Sequence, residues 1–495
     1  MTIEHEVKLP ASPAFRMPPL DDLPDDVRVH DRGEATIQTV YYDAPDLRLI
    51  RDGASLRYRE GQSWTVKLPA AERAAALTRE EIEFPDDGGV VPADALRLLR
   101  AYLRTADVVP VLRLRTVRHR WDVADAGDLV LADIVDDDVE IVSGSPGRVR
   151  FREVEVERKD PSAAPVVDAV VERLRAAGAG APDPTPKPAR ALGAIATAPP
   201  DVVVAELPDE PTAGDVVRRA LATSVLHLIR HDPVVRLDAD PEGVHQTRVA
   251  TRRLRSDLRT FRSLLDEGWV CGLRAELAWL GGALGAARDA DVLLERVRAR
   301  ASSLDETERP AAAEIVGALE RRDKDAHAAV MEALTSARYA ELLDALVDAA
   351  NAPCFSDAAT RPAGEALPPL VRAPWKRLRA TVQAAGNQPT SEALHEIRIG
   401  AKRLRYAAEA VGTVLGKPPS RLAAHAEAVQ DVLGEHHDAV VAASWLRGWA
   451  SGASADGAFA AGTIAGVEAV AAADARTAWA KAWRALDSRE LRGWM

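Results

Sequence analysis

The strongest constraint on this chain is a change of hydrophobic period part-way along it. Up to about residue 160 the sequence alternates by two. Ile3-Glu4-His5-Glu6-Val7-Lys8, Leu56-Arg57-Tyr58-Arg59, Trp64-Thr65-Val66-Lys67-Leu68 and Phe151-Arg152-Glu153-Val154-Glu155-Val156-Glu157 each set like residues on one side of an extended strand. Turn signals at Asp52-Gly53, Glu60-Gly61, Asp87-Gly88-Gly89 and 144–147 separate such runs. From 215 onward the period becomes that of a helix, in long Ala/Leu/Arg segments without a convincing strand. Between them, 178–214 is rich in Pro, Ala and Gly, the composition of a boundary. One layer cannot satisfy both periods. The expected fold is therefore α+β: an antiparallel sheet or barrel closed by a helix over 165–177, then an all-α unit. The corresponding domains are 1–195 and 212–490, with a linker over 196–211.

The helical part carries an internal repeat. His245-Gln-Thr-Arg248-Val-Ala-Thr-Arg252-Arg253-Leu254-Arg255 is echoed by His395-Glu-Ile-Arg398-Ile-Gly-Ala-Lys402-Arg403-Leu404-Arg405, and Leu284-Gly285-Ala-Ala-Arg288-Asp289 by Leu433-Gly434-Glu-His-His437-Asp438. The offsets are 150 residues (245 to 395) and 149 (284 to 433), so two motifs share nearly one shift. A duplicated helical bundle is the physical reading.

Composition narrows the function classes. With 47% hydrophobic and 28% charged residues the chain has the make-up of a packed globular protein. No 18-residue apolar stretch is free of charges, so no membrane span is expected. Glu4 and Glu6 stand where a secretory signal needs a basic and then an apolar run, which predicts a cytoplasmic protein. Cys271 and Cys354 form neither a disulfide framework nor a metal spacing and are expected to be buried small residues. The balance of 64 basic against 76 acidic residues, net −12, argues against a general or sequence-specific nucleic-acid binder. Any anion site must be a local concentration of Arg and Lys.

Two such concentrations exist. On the strands, Glu4, Glu6 and Lys8 share a face, as do Glu153, Glu155 and Glu157, Arg57 and Arg59, Arg79 with Glu81 and Glu83, Arg113 and Arg115, and Arg118 and Arg120. Acidic residues gather on the first and last strands and basic ones between. If a barrel turns these faces inward, one wall suits a hard cation such as Mg²⁺ or Mn²⁺, and the other a polyphosphate. On a helix, His245, Arg248, Arg252, Arg255, Arg259 and Arg262 fall within an arc of about 100°, with Leu254 and Phe261 opposite. His395, Arg398, Lys402 and Arg405 repeat the stripe. Like-charged rows repel, and a bound polyanion relieves that cost.

The first set resembles the CYTH domain of the triphosphate tunnel metalloenzymes. The resemblance rests on Glu-His-Glu-Val-Lys at 4–8, Tyr41-Tyr42-Asp43, Leu56-Arg57-Tyr58-Arg59, Val66-Lys67-Leu68, Arg118 with Trp121, Leu131-Ala132-Asp133 and the Glu153-Val-Glu155-Val-Glu157 strand, and covers about 1–195. It implies an eight-stranded antiparallel tunnel that cleaves the terminal phosphoanhydride of a triphosphate with a divalent metal. Glu4, Glu6, Asp133, Glu153 and Glu155 are then implied metal ligands, with Glu155 and Glu157 as the alternative late pair. Lys8, Arg57, Arg59, Lys67 and Arg118 are implied to bind phosphates in catalysis, with Arg79, Arg120 and Lys187 as further substrate contacts.

The repeated HxxRxxxxRLR segments resemble the CHAD domain, over about 212–490. That resemblance implies polyphosphate binding through His245, Arg248, Arg252, Arg253, Arg255, Arg259, Arg262, Arg288, His395, Arg398, Lys402, Arg403 and Arg405. Asp289 and Asp438 are expected to orient basic side chains. The second copy departs at His437, where the first has Arg288, and at Val440, where it has Asp291.

The function expected is a Mg²⁺- or Mn²⁺-dependent hydrolase of inorganic triphosphate or polyphosphate, cytoplasmic and associated with polyphosphate granules. The alternatives are a non-catalytic polyphosphate binder, or an enzyme acting on an organic triphosphate by thiamine triphosphate hydrolysis or ATP cyclisation.

Overall fold

The computed structural model describes residues 2–20, 23, 27–69, 78–86, 89–144, 150–237 and 241–495; at 2–4, 78–79 and 241 it describes the backbone alone. Of the expected turns, Asp87, Gly88 and 145–147 lie outside the described residues. The chain divides into two compact units, Met1–Asp201 and Val202–Met495.

The first unit holds β1 (Thr2–Ala11), β2 (Arg28–Asp43), β3 (Ser55–Arg59), β4 (Ser63–Pro69), β5 (Thr78–Pro85), β6 (Val109–Ala124), β7 (Val130–Ser143) and β8 (Arg150–Arg158). They close into an antiparallel barrel in the order β1-β5-β4-β3-β2-β6-β7-β8. Its helices are α1 (Arg48–Arg51), α2 (Ala93–Leu98), α3 (Arg100–Leu103), α4 (Ala164–Ala176) and α5 (Lys187–Leu192). The barrel is apolar outside and charged inside. Leu9, Val123, Ile134, Val154 and Val156 point outward and are buried beneath Val166, Val167, Val170 and Leu174 of α4 and beneath Phe15 and Leu20. Trp64 is likewise buried outside the wall, its ring 4.9 Å from those of Tyr42 and Tyr58. Because helices and loops cover the apolar faces, the alternate residues of each strand are left facing the interior.

The Pro/Ala/Gly-rich stretch contributes to this unit rather than only leaving it. Ala189 of α5 packs with Leu47 and Ile50, and Ala191 with Leu112 and Leu114. Asp201 is held by Arg51 at 2.9 Å and by Arg104.

The second unit is helical: α6 (Ala213–Arg236), α7 (Pro241–Thr260), α8 (Glu267–Ala301), α9 (Arg309–Thr335), α10 (Ala337–Asn351), α11 (Ala363–Ala366), α12 (Pro368–Ala385), α13 (Ser391–Leu415), α14 (Lys417–Ala450) and α15 (Ala455–Leu486). Thr212 and Asp215 form a reciprocal capping box that starts α6. Consecutive packing of α6 to α9 is repeated by α12 to α15, and α7 meets α13, α8 meets α14 and α9 meets α15. This is the duplicated bundle implied by the repeat. Leu254 and Phe261 are fully buried, as a stripe on the opposite helix face requires. Two expectations fail. Cys271 and Cys354 are exposed thiols, each on the outward side of its segment. Arg262 lies beyond the end of α7 in a 3₁₀ turn, where it binds Glu267 instead of extending the stripe. By length and composition α15 could cross a membrane, and 39% of its most apolar window is buried within the bundle.

Candidate functional site

Within the barrel lies a cavity of about 660 Å³. It is lined by Glu6 and Lys8 of β1, Arg57 and Arg59 of β3, Lys67 of β4, Glu81 and Glu83 of β5, Arg118 and Arg120 of β6, Asp133 of β7, Glu155 and Glu157 of β8, and Lys187 of α5. Arg113 and Arg115 have the opposite strand parity and pair outside with Glu60 and Glu140. Strand register orders the acidic wall into rows. Glu157 stands between Glu6 and Asp133, Glu155 between Lys8 and Val135, and Glu153 between Pro10 and Asp137.

Cations bind these carboxylates in different ways. Lys8 Nζ lies 2.9 Å from Glu6 and 2.7 Å from Glu155. Lys159 Nζ lies 3.3 Å from Asp133 and 2.7 Å from Glu157. Lys187 Nζ reaches Glu153 and Glu155 at 2.7 Å and Asp137 at 3.0 Å, while Arg118 grips Asp137 through two bonds of 2.7 and 2.6 Å. Burial alone would raise the Glu155 pKa, yet Lys187, Lys8 and Arg118 hold it well below the usual carboxylate range. Burial likewise opposes charge on Lys187, and Glu155, Asp137 and Glu153 raise its pKa well above the ordinary value.

Across the cavity Glu81 serves both Arg57, at 2.8 Å, and Lys67, at 3.1 Å. Among the described residues no carboxylate ion-pairs with Arg59. Neighbouring Arg57, then burial and Arg118, depress its pKa to about 10. Among the described residues Glu81 is the carboxylate that acts on it, at longer range, and a guanidinium so placed can take an anion.

The carboxylates of the acidic wall form a donor set suited to a hard cation. Glu6, Glu157 and Asp133 adjoin in one row, offer only hard oxygens, and are at present neutralised by ammonium groups. That fits Mg²⁺ or Mn²⁺. Glu153 is fully buried, does not line the cavity, and is engaged by Lys187 and by Arg190 at 3.3 Å. Glu153, Glu155 and Glu157 all share the inner face of β8, and Glu155 and Glu157 are the late pair that lines the open cavity.

The helical unit holds a smaller cavity of about 200 Å³ between α7 and α13, lined by Arg252, Arg255, Ser256, Arg259, Ile399, Lys402, Arg403 and Tyr406. The Arg252 and Arg405 guanidiniums sit over the Tyr406 ring, 5.3 and 4.9 Å from its centre. Burial, followed by Arg252, Arg398, Arg248 and Arg405, pushes the Lys402 pKa down to about 7. Burial is also the main cause of the lowered pKa values of Arg252 and Arg259. Other residues of the implied polyphosphate-binding set have carboxylate partners: Arg253 binds Glu409 at 2.8 Å, Arg248 binds Asp289 at 3.3 Å, and Arg405 binds Glu427. His395 and His437 lie with ring centres 4.7 Å apart, and Arg288 acts on His245 at the matching place in the first repeat.

Comparison with known proteins bears on both cavities. Residues 2–183 match the CYTH domain and residues 219–447 the CHAD domain. The chain belongs to the CYTH–CHAD family. It is 33% identical over 451 residues to uncharacterized proteins MT2285 and Rv2226 of two Mycobacterium tuberculosis strains, an alignment covering 85% of this chain and 83% of each relative. Among solved structures it is similar to PptA from Streptomyces chartreusis (26% identity, TM-score 0.47, 55% of this chain and 99% of that one). It is also similar to the CHAD domain of the plant Ricinus communis (25% identity, TM-score 0.48, 58% of this chain and 96% of that one).

In the CYTH unit the geometry brings together Glu6, Lys8, Arg57, Arg59, Lys67, Arg118, Arg120, Asp133, Glu155, Glu157 and Lys187 around one cavity. Glu4 and Arg79 are register partners on β1 and β5, and their side chains lie outside the described residues. Sequence reasoning placed Glu81 on a charged strand face without giving it a role, and missed Asp137 and Lys159 as members of this charge network. In the CHAD unit it missed Tyr406, whose signal was its place one residue after the repeated Arg-Leu-Arg.

Proposed function

We propose that the CYTH unit admits the end of an inorganic triphosphate or polyphosphate and hydrolyses its terminal phosphoanhydride with Mg²⁺ or Mn²⁺, while the CHAD unit binds the polyphosphate chain. The observation that carries this reading is a closed barrel whose interior sets an arginine-rich wall against a row of carboxylates. A polyphosphate together with a divalent cation matches both walls, the anion taking the place of carboxylates at the cations and the cation taking the place of ammonium groups at the carboxylates.

In this reading Arg57, Arg59 and Arg118 receive non-bridging oxygens, and Lys67 supplies a further point charge. Glu6, Asp133, Glu155 and Glu157 would hold the metal, which when bound neutralises phosphate charge and acidifies water. Lys8 and Lys187 would turn from these carboxylates toward the phosphates. Water adds at the terminal phosphorus, the bridging P–O bond breaks, and orthophosphate leaves. Positioning and charge neutralisation supply the catalysis, without a covalent nucleophile. The location proposed is the cytoplasm, at polyphosphate granules.

The test is phosphate release from tripolyphosphate, long polyphosphate, nucleoside triphosphates and thiamine triphosphate, with and without metal. Metal-dependent release from the inorganic substrates supports the proposal. Tight binding without release converts the tunnel into a grip on chain ends, and preference for an organic triphosphate overturns the substrate assignment.

A further inference from the structure

On α8 and α9, in the first half of the helical unit, Asp291, Asp323 and His327 bring three ligand atoms within 4.8 Å of one another. Asp323 and His327 are four residues apart on α9 and so project from one face, toward Asp291 on α8. His327 Nε2 is 2.8 Å from Asp291 Oδ1 and 3.9 Å from Asp323 Oδ1. Asp291 Oδ2 and Asp323 Oδ1 are buried atoms without a hydrogen-bond partner. The two carboxyl groups face each other; burial, followed by the contact with Asp291, raises the Asp323 pKa. Arg288 stays 3.9 Å from Asp291, and Arg298, which also acts on Asp323, donates to Glu320 at 2.8 Å.

We propose that Asp291, Asp323 and His327 bind a divalent first-row transition cation of the Zn²⁺ class, joining α8 to α9. One imidazole and two carboxylates form a three-ligand set of the kind that leaves a position open to water. Ligands of a tetrahedral ion at roughly 2.1 Å lie about 3.4 Å apart, so the 2.8 Å pair must open and the 3.9 Å pair must close, each by about half an ångström. The imidazole separates this site from the all-oxygen tunnel wall and favours Zn²⁺ over Mg²⁺. The set is also absent from the duplicated pattern, because Val440 stands in the second repeat where Asp291 stands in the first. The set is therefore not part of the repeated basic stripes, although Arg288 adjoins it.

Full-length protein stripped with a chelator and dialysed against Zn²⁺ should hold one more tightly bound ion per chain than Asp323→Asn or His327→Gln, whose affinity at this site should fall by about 10–100-fold or more. Equal stoichiometry and affinity in all three proteins would overturn the proposal. A measurement on the wild type avoids dependence on the variants folding. Zn²⁺ should slow diethyl pyrocarbonate modification of His327, read by peptide mass spectrometry, by about tenfold, and Mg²⁺ should not. Equal modification with and without Zn²⁺ would show an ordinary histidine–aspartate ion pair, and equal protection by Mg²⁺ would overturn the assignment to a cation of the Zn²⁺ class.

Discussion

Arg59 is positioned for a ligand at some cost to the free protein. It is half-buried beside Arg57 and Arg118, and among the described residues no carboxylate ion-pairs with it, so its removal relieves repulsion while deleting a charge-assisted contact to the ligand worth about 1.5–3 kcal/mol. Arg59→Ala should weaken tripolyphosphate binding and turnover by about 10–100-fold while the melting temperature of the unliganded protein does not fall. Kinetics and thermal melts on the same preparation check this. Lys402 makes a different prediction. Its folded pKa of about 7 lies below the ordinary 10.5, so between these pH values the unfolded chain carries a proton that the folded one lacks. This group's contribution to stability therefore rises with pH through that window. A bound polyanion favours the charged amine. At about pH 8.5, polyphosphate binding should then take up a proton, seen as a buffer-dependent calorimetric enthalpy, and Lys402→Arg should abolish the uptake. Individual residues were unevenly legible. Arg57, Arg59 and Lys67 could be read from alternation, but Asp137 sits in Asp136-Asp137-Asp138, where three like residues hide which one turns inward. Asp136 binds Arg152 and Asp138 binds Arg150, and only Asp137 joins Arg118 and Lys187.

Among the elements, the strands disclosed their two faces but not which face was inside. In an ordinary half-solvated sheet the charged face is outward. Here α4 covers the apolar face, and the charged face encloses the cavity. Helix α5 was hidden by its composition, since Pro186-Lys187-Pro188 reads as linker although it delivers Lys187 to three carboxylates. Replacing Lys187 with methionine leaves those buried acids without that ammonium and should cost about 3–5 kcal/mol of stability in metal-free buffer, measurable by denaturant unfolding. The stripe on α7 was legible up to Arg259, whereas the helix end that removes Arg262 was not. Arg252→Glu with Arg255→Glu should abolish most binding of long polyphosphate by the full chain at low salt and leave tripolyphosphate turnover largely intact. The matched pair on α13 is better chosen as Arg398→Glu with Lys402→Glu, because Arg405 is already committed to Glu427 and Glu409. Wild-type affinity should fall steeply with salt through counterion release. Binding that ignores both reversals would leave the stripes as solvated helix surface.

For the whole molecule, a net charge of −12 conceals two enclosed cationic surfaces, one in each unit. The change of period located the units, but the first continues to Asp201 because Arg51 and Arg104 hold that carboxylate, a pairing that sequence spacing does not reveal. The function proposed for the barrel makes its charged interior a metal-dependent site for triphosphate hydrolysis. The most direct test is orthophosphate release from tripolyphosphate by the full chain with Mg²⁺ or Mn²⁺, compared with the same protein in chelator and with Glu6→Gln and Glu157→Gln. Release should require the metal and be lost in both variants while their circular dichroism remains that of the wild type. Undiminished release in chelator or in both variants, or no release from the wild type under any metal condition, would contradict it.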